Sequence, residues 1–229
     1  MLTLQTQNLN KIFNKGKSNE FVALSDISLS IKKGSCTLLK GSSGSGKTTL
    51  ISILAGLTKP TSGSYICLEE NVSHWSEKFL TQFRREHIGI VFQHFNLIQG
   101  LTVEQNIILP LLPLNYSSKK MEMMSKEAAT LAQISHKLNQ KIDILSGGEL
   151  QRTAIARALI RKPAILFADE PTSHLDRKNA IEVFEVFEKL KANGQTIILT
   201  THDEWLKNHS IIDNVIELGD GKLVINSPS

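Results

Sequence analysis

Gly41-Ser42-Ser43-Gly44-Ser45-Gly46-Lys47-Thr48 has the spacing G-x-x-x-x-G-K-T, combining glycines, hydroxyls and one ammonium. These types suit a polyanion. Glycines let the backbone curl until successive N–H groups point into one concavity, and a following helix adds its unpaired N–H groups and positive dipole end. Lys47 is expected to reach the β- and γ-phosphates of a nucleoside triphosphate, and the Thr48 hydroxyl to ligate the Mg²⁺ that bridges them.

Other stretches carry matching chemistry. The run 164–168 is apolar and ends in Asp169-Glu170, so the strand it predicts delivers two carboxylates. Beside a phosphate loop, Asp169 would hold Mg²⁺ through its waters and Glu170 would orient and deprotonate an attacking water. Strand-like residues 88–92 and 196–201 end in Gln93 and in His202. Open α/β sheets place ligand contacts at such carboxyl ends, so Gln93 is a candidate Mg²⁺ or water contact and His202 a γ-phosphate contact. Gln93 also reads as a plain loop residue at a strand end. Ser146-Gly147-Gly148-Glu149 satisfies S-x-x-E, the signature of a capped helix start. Two glycines there raise the cost of ordering the chain unless the backbone approaches something closely, such as a second phosphate group.

The elements that position these residues follow from periodicity. Residues 35–39 predict the strand feeding the phosphate loop, and Leu50, Ile53, Leu54 and Leu57 recur at helical spacing after it. Alternation over 26–31 puts Ile27, Leu29 and Ile31 on one face of a half-buried antiparallel strand. Residues 11–17 read as a polar loop whose one aromatic, Phe13, is either a core residue at a strand end or a ring for stacking on a base. Residues 64–68 return as a strand, and 101–162 read as helices, with a capping box at Thr102 to Gln105. Asp176 is expected to cap a helix ended by Gly194, with Ile181, Phe184, Phe187 and Leu190 inward. A hairpin turn at 219–221 closes the pattern. The fold class is α/β, a P-loop NTPase core with a mixed sheet, an N-terminal antiparallel β subdomain and an inserted α-helical subdomain. The whole chain makes one domain, with the β and P-loop core at 1–95 and 163–229 and the helical part at about 96–162.

Composition narrows the class. A chain of 229 residues with 41% hydrophobic and 21% charged residues is ordinary for a globular protein, and its net charge of +4 is spread over isolated basic pairs rather than a basic arm. Cys36 and Cys67 stand singly, which fits buried free thiols in a reducing compartment better than a zinc site. The first residues alternate like a strand, so no signal peptide is expected. No apolar run approaches the roughly 20 residues that cross a bilayer, so any membrane role is expected through a partner.

Together these stretches resemble the ATP-binding subunit of an ABC transporter across essentially the full length. Residues 41–48 resemble its Walker A motif, Gln93 its Q-loop, Leu145-Ser146-Gly147-Gly148-Glu149-Leu150-Gln151-Arg152 its signature and residues 165–170 its Walker B motif with glutamate. Ser173-His174-Leu175-Asp176 resembles the D-loop and His202 the switch histidine, while Phe13 falls where the family keeps an adenine-stacking aromatic. Residues 88–98 and 101–107 are similar to the MacB, LolD and FtsE group, in which His174 is more often a small residue.

The resemblance implies ATP and Mg²⁺ as ligands. Gly41, Ser42, Ser43, Gly44, Ser45, Gly46, Lys47, Thr48 and Thr49 would bind ATP together with Phe13, and Thr48, Gln93 and Asp169 would hold the metal. Glu170, His202 and Gln93 would be catalytic. Ser146, Gly147, Gly148 and Glu149 would act in trans within an ATP-dependent homodimer, with Asp176 in the D-loop contact. The implied work is ATP hydrolysis driving a separate integral membrane permease subunit, for lipoprotein release, efflux or mechanotransmission, at the cytoplasmic face of the inner membrane. A soluble relative acting on nucleic acid or ribosomes is the rival reading, but such relatives usually carry two cassettes or a long coiled coil. A small-molecule kinase would need an acceptor pocket that the sequence does not announce.

Overall fold

Two sheets share the chain. The computed structural model describes residues 1–201, 206 and 209–224. Strands β1 (Leu2–Phe13), β2 (Phe21–Lys32), β4 (Ser62–Cys67) and β5 (Glu70–Asn71) form an antiparallel sheet in the order β2-β1-β4-β5. Ile27, Leu29 and Ile31 are buried as their alternation requires. Residues 11–13 correct the expected loop, since they continue β1 and pair with Leu24, Val22 and Phe21 of β2. Register shifts near Leu9 and Lys11 break the alternation there, which is why this end of the strand reads as polar loop.

The second sheet runs β10-β9-β3-β8-β7-β6. It contains β3 (Cys36–Lys40), β6 (Ile88–Val91), β7 (Ile165–Ala168), β8 (Thr196–Thr200), β9 (Asn214–Gly219) and β10 (Lys222–Leu223). All neighbours are parallel except the β9–β10 hairpin. Both faces are covered, so β7 and β8 are buried throughout rather than alternating. Leu38, Val91, Leu166 and Leu199 enter one core, while Leu39, Phe167, Ile198 and Leu218 enter the other.

Helix α1 (Lys47–Leu54) packs in the second core with α2 (Glu77–His87), through Leu50, Ile53, Leu80 and Phe83. The sequence reading missed α2, whose signal is the buried pair Leu80 and Phe83 at i, i+3. It also carried α1 too far. Gly56 takes a left-handed φ of 69°, and the N–H groups of Gly56 and Leu57 return to the carbonyls of Ile53 and Ser52 at 2.9 and 2.7 Å. That Schellman arrangement ends the helix and leaves Leu57 exposed.

Helices α3 (Val103–Ile108), α4 (Ser118–Leu131) and α5 (Gly147–Leu159) lie between β6 and β7 in sequence and share the first core with α6 (Arg177–Ala192). The capping box at Thr102 is present, with both reciprocal hydrogen bonds. Asp176 caps α6 through its carboxylate and the Asn179 N–H, and Gly194 closes the helix at φ 83°. The inward stripe of α6 is Ala180, Val183, Phe184, Val186, Phe187 and Leu190. Ile181, expected inside, is 43% exposed, because the stripe advances by three and four residues from Ala180 rather than from Ile181.

Candidate functional site

Parallel register determines what meets at the sheet edge. Leu39 pairs with Thr200, Ala168 with Leu199, and Val91 with Ala168. The segments that follow β3, β6 and β7 therefore leave the sheet at the same edge. They enclose a cleft of about 420 Å³ lined by Ser43, Gly44, Gly46, Lys47, Thr48, Thr49, Gln93, Glu170, Phe21 and Ala23. A second hollow, about 440 Å³, opens at the other end of the strands beside Lys33, Ala164 and Thr196. Its lining has no phosphate loop and no paired carboxylates, so the chemistry belongs to the first.

The phosphate loop is shaped by close packing as well as by φ. A Cβ on Gly41 would lie 2.3 Å from the Leu218 carbonyl oxygen, and one on Gly46 would lie 2.8 Å from that of Ala23. Gly221 donates its N–H to the Ser45 carbonyl at 3.1 Å, so the C-terminal hairpin buttresses the loop. Lys47 is buried, and its ammonium donates to the carbonyls of Gly41 and Ser42, at 2.8 Å each. No side chain caps the α1 N-terminus, and the buried Ser45 hydroxyl has no partner among the described residues. Uncapped N–H groups and an unpartnered hydroxyl beside a buried ammonium fit a phosphate chain.

Across the cleft the Asp169 carboxylate and the Glu170 backbone are held by a residue the sequence reading passed over. Thr200, fully buried at the end of β8, accepts the Glu170 N–H at 2.9 Å and donates its hydroxyl to Asp169 Oδ1 at 2.7 Å. Its signal in the sequence was a polar residue ending an apolar strand. Glu170 adopts a left-handed φ of 47°, a conformation a glutamate keeps only where its surroundings enforce it. The Gln93 amide donates to Glu170 Oε2 at 3.1 Å. Thr48, Gln93 and Asp169 offer oxygen donors only, which suits the hard cation Mg²⁺. His202 lies outside the described residues.

Phe13 is 40% exposed at the end of β1, with the Lys11 ammonium 5.0 Å from its ring centroid. Its cross-strand partner Phe21 is 58% exposed and lines the cleft, which Phe13 does not. Phe21 was not singled out from sequence, since nothing in its neighbourhood marked it as more than a strand residue.

None of Ser146, Gly147, Gly148, Glu149 or Asp176 lines the cleft. Ser146 caps α5, its hydroxyl accepting the Glu149 N–H and its own N–H donating to Glu149 Oε2 at 2.9 Å. Burial pushes the Glu149 carboxyl up, but the Ser146 N–H and hydroxyl and Lys137 outweigh it and hold the group below the usual range. The glycines have an internal reason as well. A Cβ on Gly148 would lie 2.5 Å from Asn179 Oδ1, and that amide donates to Asp176 Oδ2 at 2.6 Å. The close approach anticipated for Gly148 is therefore made within the chain, against α6.

Fold and cleft define the class of P-loop nucleoside triphosphatases. A sequence profile describing the ABC transporter family matches residues 24–173. The macrolide export ATP-binding/permease protein MacB of Campylobacter jejuni is 40% identical over 208 residues, covering 90% of this chain and 32% of that protein. The lipoprotein-releasing system ATP-binding protein LolD of Pseudoalteromonas translucida is 36% identical over 225 residues, covering 98% and 96%. Among solved structures, the dimeric post-hydrolysis state of the ATP-binding cassette MJ0796 bound to ADP and Pi superposes with a TM-score of 0.85 at 35% identity, covering 96% of each chain. The chain belongs to the ABC transporter family. It spans about a third of the MacB relatives it matches.

Proposed function

We propose that this chain is the ATPase engine of a membrane complex, closing as a head-to-tail homodimer around two ATP molecules. The observation that carries the reading is the convergence of Lys47, Thr48, Gln93 and Glu170 on one cleft, with the capped start of α5 outside it. A helix start bearing Ser146, Gly147 and Gly148 that does not face its own cleft is available to a second copy's triphosphate. Aligned N–H groups at such an end stabilise an anion by roughly 0.3 to 1 kcal/mol when exposed, and by up to about 2 when partly buried.

The residue roles follow. Backbone N–H groups of residues 41–48 cradle the phosphates, and Lys47 exchanges its two carbonyl partners for phosphate oxygens. Thr48, Gln93 and Asp169 would hold Mg²⁺, whose chemistry there would be to neutralise phosphate charge. Glu170 accepts a proton from the attacking water, with Thr200 fixing its backbone and Gln93 its carboxylate. Phe13, together with Phe21, supplies aromatic surface for the base. His202 is assigned to the γ-phosphate from its place in sequence alone.

Among the described residues no helix is long and apolar enough to cross a membrane. The permease is assigned to another chain, and the ATPase to the cytoplasmic face of the membrane; the likeness to LolD, an ATP-binding protein matched over 96% of its length, supports the separate chain. Lipoprotein release, efflux and mechanotransmission all remain within this reading, since cargo is read by the partner. The test is phosphate release from ATP by the purified chain, followed by co-purification from detergent-solubilised membranes. Inorganic phosphate and a co-purifying integral membrane protein are expected. A phosphorylated metabolite, or co-sedimentation with nucleic acid instead, would contradict the reading.

A further inference from the structure

His94 and His174 lie with ring centroids 5.1 Å apart and planes inclined by 20°, a stacked pair formed by two exposed side chains. Phe95 meets the His174 ring edge-on at 6.4 Å and 76°. The Arg157 guanidinium of α5 donates to the Phe95 carbonyl at 2.7 Å and to that of Asn96, anchoring the segment behind His94. On the other side, Ser173 donates its N–H and its hydroxyl to the Glu170 carbonyl at 3.2 and 3.0 Å, so a closed turn joins Glu170 to His174.

We propose that His174 is a positioning residue for Gln93, acting through its stack on His94; the proposal rests on the assignment of Gln93 and Glu170 to hydrolysis made above. Two adjacent residues of one loop touch two residues of one turn: Gln93 meets Glu170, and His94 meets His174. A single amide–carboxylate contact leaves the loop free to pivot about it. A second contact four residues along the turn removes that freedom and fixes where the amide points. His174 also borders α5, its carbonyl oxygen lying 3.8 Å from the position a Cβ on Gly147 would take. Neither ring reaches the cleft, so the pair acts by orienting Gln93 and not by contact with nucleotide.

The test compares His174→Ser, His174→Phe, His94→Ser and the double serine variant, using steady-state ATPase rates and titration with a fluorescent ATP analogue. Loss of the His94–His174 stack predicts a kcat lower by roughly two- to tenfold in each serine variant. KM and analogue affinity should stay within about twofold of the parent, because the contact orients rather than binds. His174→Phe, which keeps a ring for stacking, should recover most of the rate, and the double serine variant should be no slower than the slower single one. Full turnover in His174→Ser, no recovery in His174→Phe, or losses that multiply would overturn the proposal. If Glu170→Gln keeps its turnover, it is the hydrolytic assignment beneath the proposal that fails.

Discussion

Gln93 Nε2 stands 3.1 Å from Glu170 Oε2, joining the loop after β6 to the segment after β7. This amide donor orients the carboxylate assigned above as the general base. Glu170→Gln should keep ATP binding and lower phosphate release by roughly 10² to 10⁴, the usual contribution of a positioned general base. Phosphate release assays beside an ATP-analogue titration check this; unchanged turnover would remove Glu170 from the role.

Thr200→Val preserves shape while deleting the hydroxyl that serves the Asp169 carboxylate and the Glu170 backbone N–H. The Glu170 N–H then lacks its partner, at a cost of about 1 to 3 kcal/mol to stability. Turnover should fall with KM for ATP little changed, and thermal unfolding measured alongside separates the two effects.

Lys47→Ala should weaken nucleotide binding itself, by about 1.5 to 3 kcal/mol for a lost charge-assisted hydrogen bond. Equilibrium titration reads this directly, and parental affinity would contradict the assignment.

Base stacking separates two neighbouring rings. Alanine at Phe13 or at Phe21 should cost about 1 to 3 kcal/mol of ATP affinity if that ring carries the stack, with little effect on tripolyphosphate. Competition of the two ligands in each variant identifies the ring.

Acid stability should depend on Asp213. Burial pushes its carboxyl up, but the Lys191 ammonium at 2.7 Å and the Cys36 N–H outweigh that and hold it below the ordinary 3.8. A depressed folded pKa gives stability that is present above the unfolded value and lost as pH falls through the folded one. Asp213→Asn should therefore lower the unfolding midpoint near pH 7 and converge with the parent as pH drops below about 3.8. Burial also pushes the thiols up, Cys36 to about 12 and Cys67 to about 11. Raised folded values mean the associated stability is intact below about 9 and fades as pH climbs toward them, and both thiols should resist a thiol reagent until the protein is unfolded.

Much of the site was legible because its signals are local. Eight consecutive residues define the phosphate loop, Ser146 and Glu149 announce their own cap, and β7 is apolar to its last residue before Asp169. What escaped depends on partners distant in sequence. Thr200 gains its role from parallel pairing, which brings it beside Asp169 across 31 positions. Phe21 reaches the cleft because β1 and β2 stay paired to their ends, through register shifts that obscure the alternation. Gly148 has a packing reason to be glycine that only Asn179, 31 positions on, supplies. Ile181 and Leu57 misled for a simpler reason, since an apolar residue at a permitted spacing need not face inward.

Analytical ultracentrifugation of Glu170→Gln with and without ATP tests the shared grip most directly, repeated with Ser146→Arg added. The parent variant should shift from monomer to dimer when ATP is present. The double variant should bind ATP with the same affinity yet stay monomeric, because arginine at the α5 start blocks its approach to a second copy's triphosphate. ATP-driven dimerisation undiminished by Ser146→Arg would contradict the account.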